Sequence, residues 1–323
     1  MVGAFLRDGW RVRAGARRPH LWPEGVSGVA VDRQDDASLV AAVGDGCDVV
    51  VDCVAFDEVH ARQIVGLAGL VGSAVVLSSV GVYADARGRT LDEATNEEDF
   101  PVFGDDPVTE RQTTVAPGPS TYSTRKVAME QVLLEAELPV TVLRPGTITG
   151  QHSAHPRELW FVQRALDHRP VQILAHQGRS QFHTCSTPNL AELVRLAARR
   201  PGSRVLNAVD PTAPTTTEIG AAVNALMGHT PLEILLDGAP DPVVGQNPWG
   251  LPHPFVMNMS EAARTLGYQA VTDYQGALRA TVSWLVDAVQ GRDWQEVFPS
   301  FLRINGLGAF DYVAEDAWLA RVP

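Results

Sequence analysis

Tyr122 and Lys126 stand four residues apart in the run Tyr122-Ser123-Thr124-Arg125-Lys126. On a helix that spacing puts a phenol and an ammonium on one face. A free phenol has a pKa of about 10 and is a poor base at neutral pH. A nearby ammonium favours the phenolate, so the pair suits a tyrosine that takes and returns a proton. A third hydroxyl, Ser79, closes the run Ala74-Val75-Val76-Leu77-Ser78-Ser79. If that run is a strand of an open α/β sheet, Ser79 sits at its carboxyl end, where such sheets bind ligands. There it can hold a substrate oxygen beside the tyrosine.

The elements that must position these residues follow from the hydrophobic pattern. Strand-like runs fall at 10–16, 29–31, 48–55, 74–79, 139–145 and 204–209, and helical periodicity at 37–43, 59–70 and 122–136. Residues 2–9 read as the end of a helix stopped by Gly9. Strands alternating with helices predict an α/β fold with a doubly wound parallel sheet. Asp48 to Ala55 is a largely apolar run built around Val49-Val50-Val51, the pattern of a strand covered on both faces. The polar stretch 85–119 is too irregular for a regular element. Beyond Gly150 helices are expected at 159–166, 190–198, 215–227, 260–266 and 274–289, the third opened by a Thr215/Glu218 capping box. Residues 237–254 read as a proline-rich loop or lid, and 295–323 as an aromatic-bearing tail.

The segment Leu77-Ser78-Ser79-Val80-Gly81-Val82-Tyr83, the Tyr122/Lys126 pair and Arg144-Pro145 together resemble the extended short-chain dehydrogenase/reductases, the NAD(P)-dependent epimerase/dehydratase family. The resemblance implies a Rossmann-like dinucleotide-binding domain over 1–150. A smaller substrate-binding region with C-terminal helices, partly interleaved with the first, would then cover 151–323. It implies that Tyr122 exchanges the substrate proton, that Lys126 tunes Tyr122 and binds the nicotinamide ribose, and that Ser79 holds the reacting oxygen. A hydride would pass between substrate carbon and cofactor. Where NAD enzymes of this family place an acid, this chain has Ala16 followed by Arg17 and Arg18. Guanidinium groups attract a 2′-phosphate that a carboxylate would repel, which predicts NADP(H) in preference to NAD(H). By the same resemblance Asp32 and Arg33 meet adenine, Val54 and Ala55 lie beneath the cofactor, and Pro145 lies beside it.

Three departures bear on function. In the family a first strand and a glycine-rich turn precede the helix ending at Gly9, whereas this chain starts inside that helix. The sheet is therefore expected to be N-terminally truncated and its grip on pyrophosphate weakened. A catalytically impaired dinucleotide sensor or scaffold is the alternative reading. Thr147 stands where sugar-nucleotide enzymes carry asparagine, and Gln181-Phe182-His183-Thr184 replaces their Arg-Asp-Tyr segment. A small ketone, alcohol or natural-product intermediate is as plausible a substrate as a sugar nucleotide.

Composition sets the remaining bounds. The 323 residues carry a net charge of −12, which argues against a nucleic-acid partner. Cys47, Cys53 and Cys185 have no metal-ligand spacing and read as free thiols in a reducing cytoplasm. No secretory leader is visible and no run is long enough to span a membrane. No metal is expected, since the nine histidines form no ligand pair. His152, His155 and His183 read as surface or satisfied side chains, and Arg157 and Arg179 as loop arginines. Trp284, Trp294, Phe298, Phe301 and Trp318 would pack the C-terminal helices on the body or form a homodimer contact.

Overall fold

A computed structural model describes residues 1–18, 20–241 and 244–321. Pro19, Pro242 and Val243 of the proline-rich loop, and the last two residues of the tail lie outside the described residues. The first half runs α1 (Val2–Arg7), β1 (Val12–Ala16), β2 (Val26–Ala30), α2 (Asp36–Val43), β3 (Cys47–Asp52), α3 (Glu58–Val65), β4 (Val71–Leu77), α4 (Tyr122–Leu134) and β5 (Val140–Pro145). It continues with β6 (Thr147–Thr149), α5 (Leu159–Leu166), β7 (Val171–Leu174), β8 (Thr184–Ser186), α6 (Thr187–Arg199) and β9 (Arg204–Ala208). The last part holds α7 (Thr216–Met227), β10 (Leu232–Leu235), α8 (Ser260–Leu266), α9 (Tyr274–Val289), α10 (Trp294–Val297), α11 (Pro299–Asn305) and α12 (Tyr312–Leu319).

All the paired strands run parallel, in the order β3-β4-β5-β9 with separate pairs β1-β2, β6-β8 and β7-β10. Parallel strands need helical crossovers, and these cover the four-stranded sheet on both faces. On one face Phe5 of α1, Leu190, Leu193 and Val194 of α6, and Leu266 of α8 pack against Val75, Leu77, Leu143 and Leu206. On the other, Ile64, Met129 and Leu133 from α3 and α4 pack against Ala74, Val76, Val140 and Val142. The doubly wound α/β reading of the sequence is correct. β4 and β5, with neighbours on both sides, are buried almost throughout.

β3 differs from them. It pairs with β4 on one side only, and β1 pairs only with β2. Between β1 and β3 lies a cleft of about 650 Å³ lined by Gly15, Ala16, Arg17, Val29, Val31, Val49, Val51 and Asp52, among others. Val49, Val50 and Val51 are consequently only half-buried, although their unbroken apolar run predicts a strand enclosed on all sides.

The four short strands β6, β7, β8 and β10 are not predicted by the pattern. At three or four residues each they are too brief for alternation to register, and their partners are remote in sequence. The Thr215/Glu218 capping box of α7 forms as expected. The aromatic tail is helical and packs on the body: Phe298 and Phe301 are buried in the core of α5, α7 and α9, with Trp284 and Trp294 against it. α12 is fastened by Glu315, which meets the buried Arg164 guanidinium through both carboxylate oxygens.

His183, just before β8, is a satisfied core residue. Its Nδ1 accepts from Met257 N–H at 3.0 Å and its Nε2 lies 2.9 Å from Asp210 O. This pattern requires the neutral ring with its proton on Nε2. Burial, only partly offset by the Asp210 carbonyl, lowers its pKa to about 4. An unfolded histidine titrates at about 6.5. As pH falls through that window the unfolded chain takes up a proton that the native state refuses, so stability declines with acidity. His155, also lowered to about 4 chiefly by burial, acts in the same direction. Urea midpoints should drop from pH 7 to pH 4.5, and His183→Asn should flatten that dependence. Identical slopes for the two proteins would show that His183 does not carry it.

Candidate active site

Tyr122 is the first residue of α4, and its position is fixed by the helix start. Thr121 caps the helix, its side chain accepting from Thr124 N–H while Thr124 Oγ1 accepts from Thr121 N–H. Lys126 follows one turn later and is buried. Its Nζ donates to Ala55 O at 2.6 Å and to Leu77 O at 3.0 Å, spanning the carboxyl ends of β3 and β4. Ser79, two residues beyond β4, opens a 3-10 turn over Val80–Val82, and its Oγ accepts from Gly81 N–H at 3.0 Å. Ser79 and Tyr122 close on the same spot over Gly81, where an added Cβ would stand 3.2 Å from Ser79 Oγ and 3.9 Å from Tyr122 Cε1. Ser79, Tyr122 and Lys126 are thus brought together at the carboxyl end of the sheet, as their spacing predicts.

The electrostatics depart from the expectation. Lys126 Nζ lies 5.7 Å from the Tyr122 ring centroid and spends two of its protons on backbone carbonyls. The Tyr122 pKa is raised, first by burial and then by the Asp92 carboxylate, while Ser79 works against both. Tyr122 therefore stands as a protonated phenol at neutral pH, although 42% of the residue remains exposed. Burial lowers the Lys126 pKa to about 8, with Asp52 and Glu130 opposing that shift. The ammonium's principal work here is to hold two strand ends in place.

Beneath the trio lies a buried network that the sequence did not disclose. Glu130, one turn beyond Lys126, takes both Nε (3.0 Å) and Nη2 (2.5 Å) of Arg144 on β5, and accepts from Ser78 Oγ at 2.5 Å. Arg144 stacks 4.8 Å over the Tyr83 ring, and Tyr83 Oη donates to Asn207 on β9. The network joins α4 to the ends of β4, β5 and β9.

The residues predicted to meet a cofactor divide into two groups. Arg17, Asp32, Arg33 and Val54 line the cleft between β1 and β3. Arg18, Ala55 and Pro145 do not. Ala55 is buried and presents its carbonyl to Lys126, and Pro145 is buried at the end of β5. No hydrogen bond or ion pair engages Arg17 or Arg18 among the described residues. Arg33 is already committed: it donates to Asp52 Oδ2 at 2.7 Å and to His60 O at 2.9 Å, and contacts Gln63. Asp52 in turn accepts from Val54 and Ala55 N–H, both at 2.9 Å. Asp52, His60 and Gln63 were missed because none belongs to a recognisable motif. Only the acid at the end of a valine run offered a signal.

This geometry defines an α/β protein with a hydroxyl–phenol–ammonium site at the carboxyl edge of a parallel sheet, beside a long cleft. Residues 60–195 match the model of an NAD-binding family described as "Male sterility protein". No curated protein sequence matches the chain. Among solved structures it is similar to MoeE5 in complex with UDP-glucose and NAD, at 19% identity and a TM-score of 0.65, covering 90% of this chain and 95% of the other. It is also similar to UDP-N-acetylglucosamine 4-epimerase from Bacillus cereus, at 15% identity and a TM-score of 0.65, covering 88% and 93%. A UDP-galactose 4-epimerase aligns at 15% identity with a TM-score of 0.63, covering 89% and 94%. The chain shares the Rossmann-like fold of these structures. No described helix is long and apolar enough to cross a membrane.

Proposed function

We propose that the chain is an NAD(P)-dependent oxidoreductase or epimerase of the epimerase/dehydratase type, working at a carbinol or carbonyl carbon of a small molecule or sugar nucleotide. The observation that carries this reading is the convergence of Ser79, Tyr122 and Lys126 at the carboxyl ends of β3, β4 and α4's first turn. The adjoining cleft, long and lined by Arg17, Asp32 and Val54, suits a dinucleotide. A nicotinamide group bound there would supply or accept the hydride.

The chain's own residues would do the proton chemistry. Ser79 would donate to the reacting oxygen and hold it within reach of Tyr122. Tyr122, protonated at rest, would give its proton to a carbonyl as that oxygen gains charge, and recover it in the reverse direction. Lys126 would keep the strand ends at the spacing this requires and offer its remaining proton to a ribose hydroxyl.

NADP(H) is the preferred cofactor in this reading, because Arg17 faces the cleft with its guanidinium uncommitted. Arg17→Glu should weaken NADPH binding by roughly tenfold or more, the worth of one charge-assisted contact, while leaving NADH little changed. Fluorescence titration of the two nucleotides measures the ratio. Equal losses for both would remove Arg17 from phosphate recognition, and no binding of either by the parent chain would favour the scaffold reading.

A further inference from the structure

The residue between the phenol and the rest of its helix has work of its own. Ser123 is fully buried, although it follows an exposed tyrosine at a helix start. Its Oγ donates to Gly81 O at 2.6 Å, and its N–H donates to Asp92 Oδ2 at 2.7 Å. Gly81 N–H donates to Ser79 Oγ. A continuous chain therefore runs from Asp92 through Ser123 and Gly81 to Ser79. Ser79 Oγ accepts from Gly81 and keeps its own proton available to donate on the side of Tyr122 and the substrate. The packing is tight: a Cβ on Gly81 would stand 3.2 Å from Ser79 Oγ and 3.4 Å from Ser123 Oγ.

We infer that Ser123, held by Asp92, is a positioning residue that clamps the Ser79–Val82 turn against α4 and sets where the Ser79 hydroxyl stands relative to Tyr122. The inference rests on the catalytic reading of Tyr122 given above. It also assigns a role to one acid of the polar, irregular 85–119 stretch. Asp92 restrains the helix start through its hydrogen bond and places a negative charge beside the phenol.

The surroundings of Tyr122 make the two effects separable. On α4 it is faced by Lys126 and, further round, by Arg125, whose guanidinium lies over Phe56 and donates to Pro119 O. Phe56 packs against the Tyr122 ring at 5.7 Å between centroids. Asp52 and Glu130 act on Lys126, and the 85–119 stretch contributes Asp92. Of these, Ser79 favours the phenolate and Asp92 opposes it. Ser123→Ala loosens the clamp and weakens the Ser79 contact. Asp92→Asn keeps an acceptor for Ser123 N–H and removes only the charge.

The two variants should therefore shift the Tyr122 titration in opposite directions, upward in Ser123→Ala and downward in Asp92→Asn. Tyrosine-ring carbon NMR reads this directly in the intact chain, with Tyr122→Phe identifying the signal among the five tyrosines. Turnover in Ser123→Ala should fall on the order of ten- to a hundredfold through misplacement, with KM nearly unchanged. Shifts in the same direction, or no shift in Ser123→Ala, overturn the inference. Should Ser123→Ala fail to fold, an unmoved titration in Asp92→Asn overturns it alone. Opposite shifts in a chain that turns over no carbonyl substrate would uphold the positioning and refute the catalytic reading.

Discussion

Tyr122→Phe should abolish turnover, by roughly 10²- to 10⁴-fold for the loss of a general acid, while the circular dichroism spectrum and melting temperature stay those of the parent. The structure explains why the two effects separate. The Tyr122 hydroxyl makes no contact that holds an element in place: the helix start is fixed by Thr121 and Thr124, and the strand ends by Lys126. Removing one oxygen from a residue that is 42% exposed leaves these supports untouched. Because Tyr122 rests protonated, carbonyl reduction should keep its rate up to a pH above the ordinary phenol range and fail beyond it. Stopped-flow or steady-state assays with NADPH and a carbonyl panel test this, and unchanged turnover in the variant would remove Tyr122 from the chemistry.

Glu130→Ala should have the largest effect on stability, a loss of about 3–5 kcal/mol in chemical denaturation. The substitution leaves Arg144 buried without its counter-charge, and Arg144 Nη1 already lacks a partner among the described residues. It also strips Ser78 Oγ of its acceptor. A buried pair is costly to break but need not be favourable relative to an apolar substitute. Glu130→Leu combined with Arg144→Met should therefore recover much of the loss. If the double variant is no more stable than Glu130→Ala, the damage comes from lost packing and not from an orphaned charge.

The sequence was most legible where a residue's role is local. Gly9 ends its helix with φ +83°, Thr215 and Glu218 cap theirs, and Tyr122 and Lys126 share a face because helical spacing requires it. The nearness of the three side chains was legible because strand-end and helix-start positions are set by short-range pattern, while their joint reading as a trio came from the family resemblance. Glu130 and Arg144 were opaque for the opposite reason: their pairing depends on α4 crossing β5, which no local pattern encodes. The same holds for Arg33, which the family resemblance sets against adenine but the fold ties to Asp52. Tyr122's raised pKa was missed because spacing reports the nearness of Lys126 and not the carbonyls that claim its protons.

The cleft between β1 and β3 has a consequence for the energetics of binding. Among the described residues no strand ladder joins the unit of β1, β2 and α2 to the rest of the sheet, and it is tied on by side chains: Arg33 with Asp52 and His60, Gln34 with His60, Gln63 with Asp36, and Leu39 and Val43 of α2 in the shared core. A unit joined through side chains and not through a strand ladder opens at a smaller free-energy cost than the strands of the sheet it adjoins. Arg17 and Asp32 lie beside that unit's strands, whereas Lys126 and Tyr122 lie on α4, against the four-stranded sheet. A dinucleotide reaching both would bind only the closed population, and its apparent affinity would scale with the fraction of molecules in that state. On the proposed function, cofactor affinity would then depend on how often the two parts meet, and whatever stabilises their meeting would tighten binding without touching the ligand.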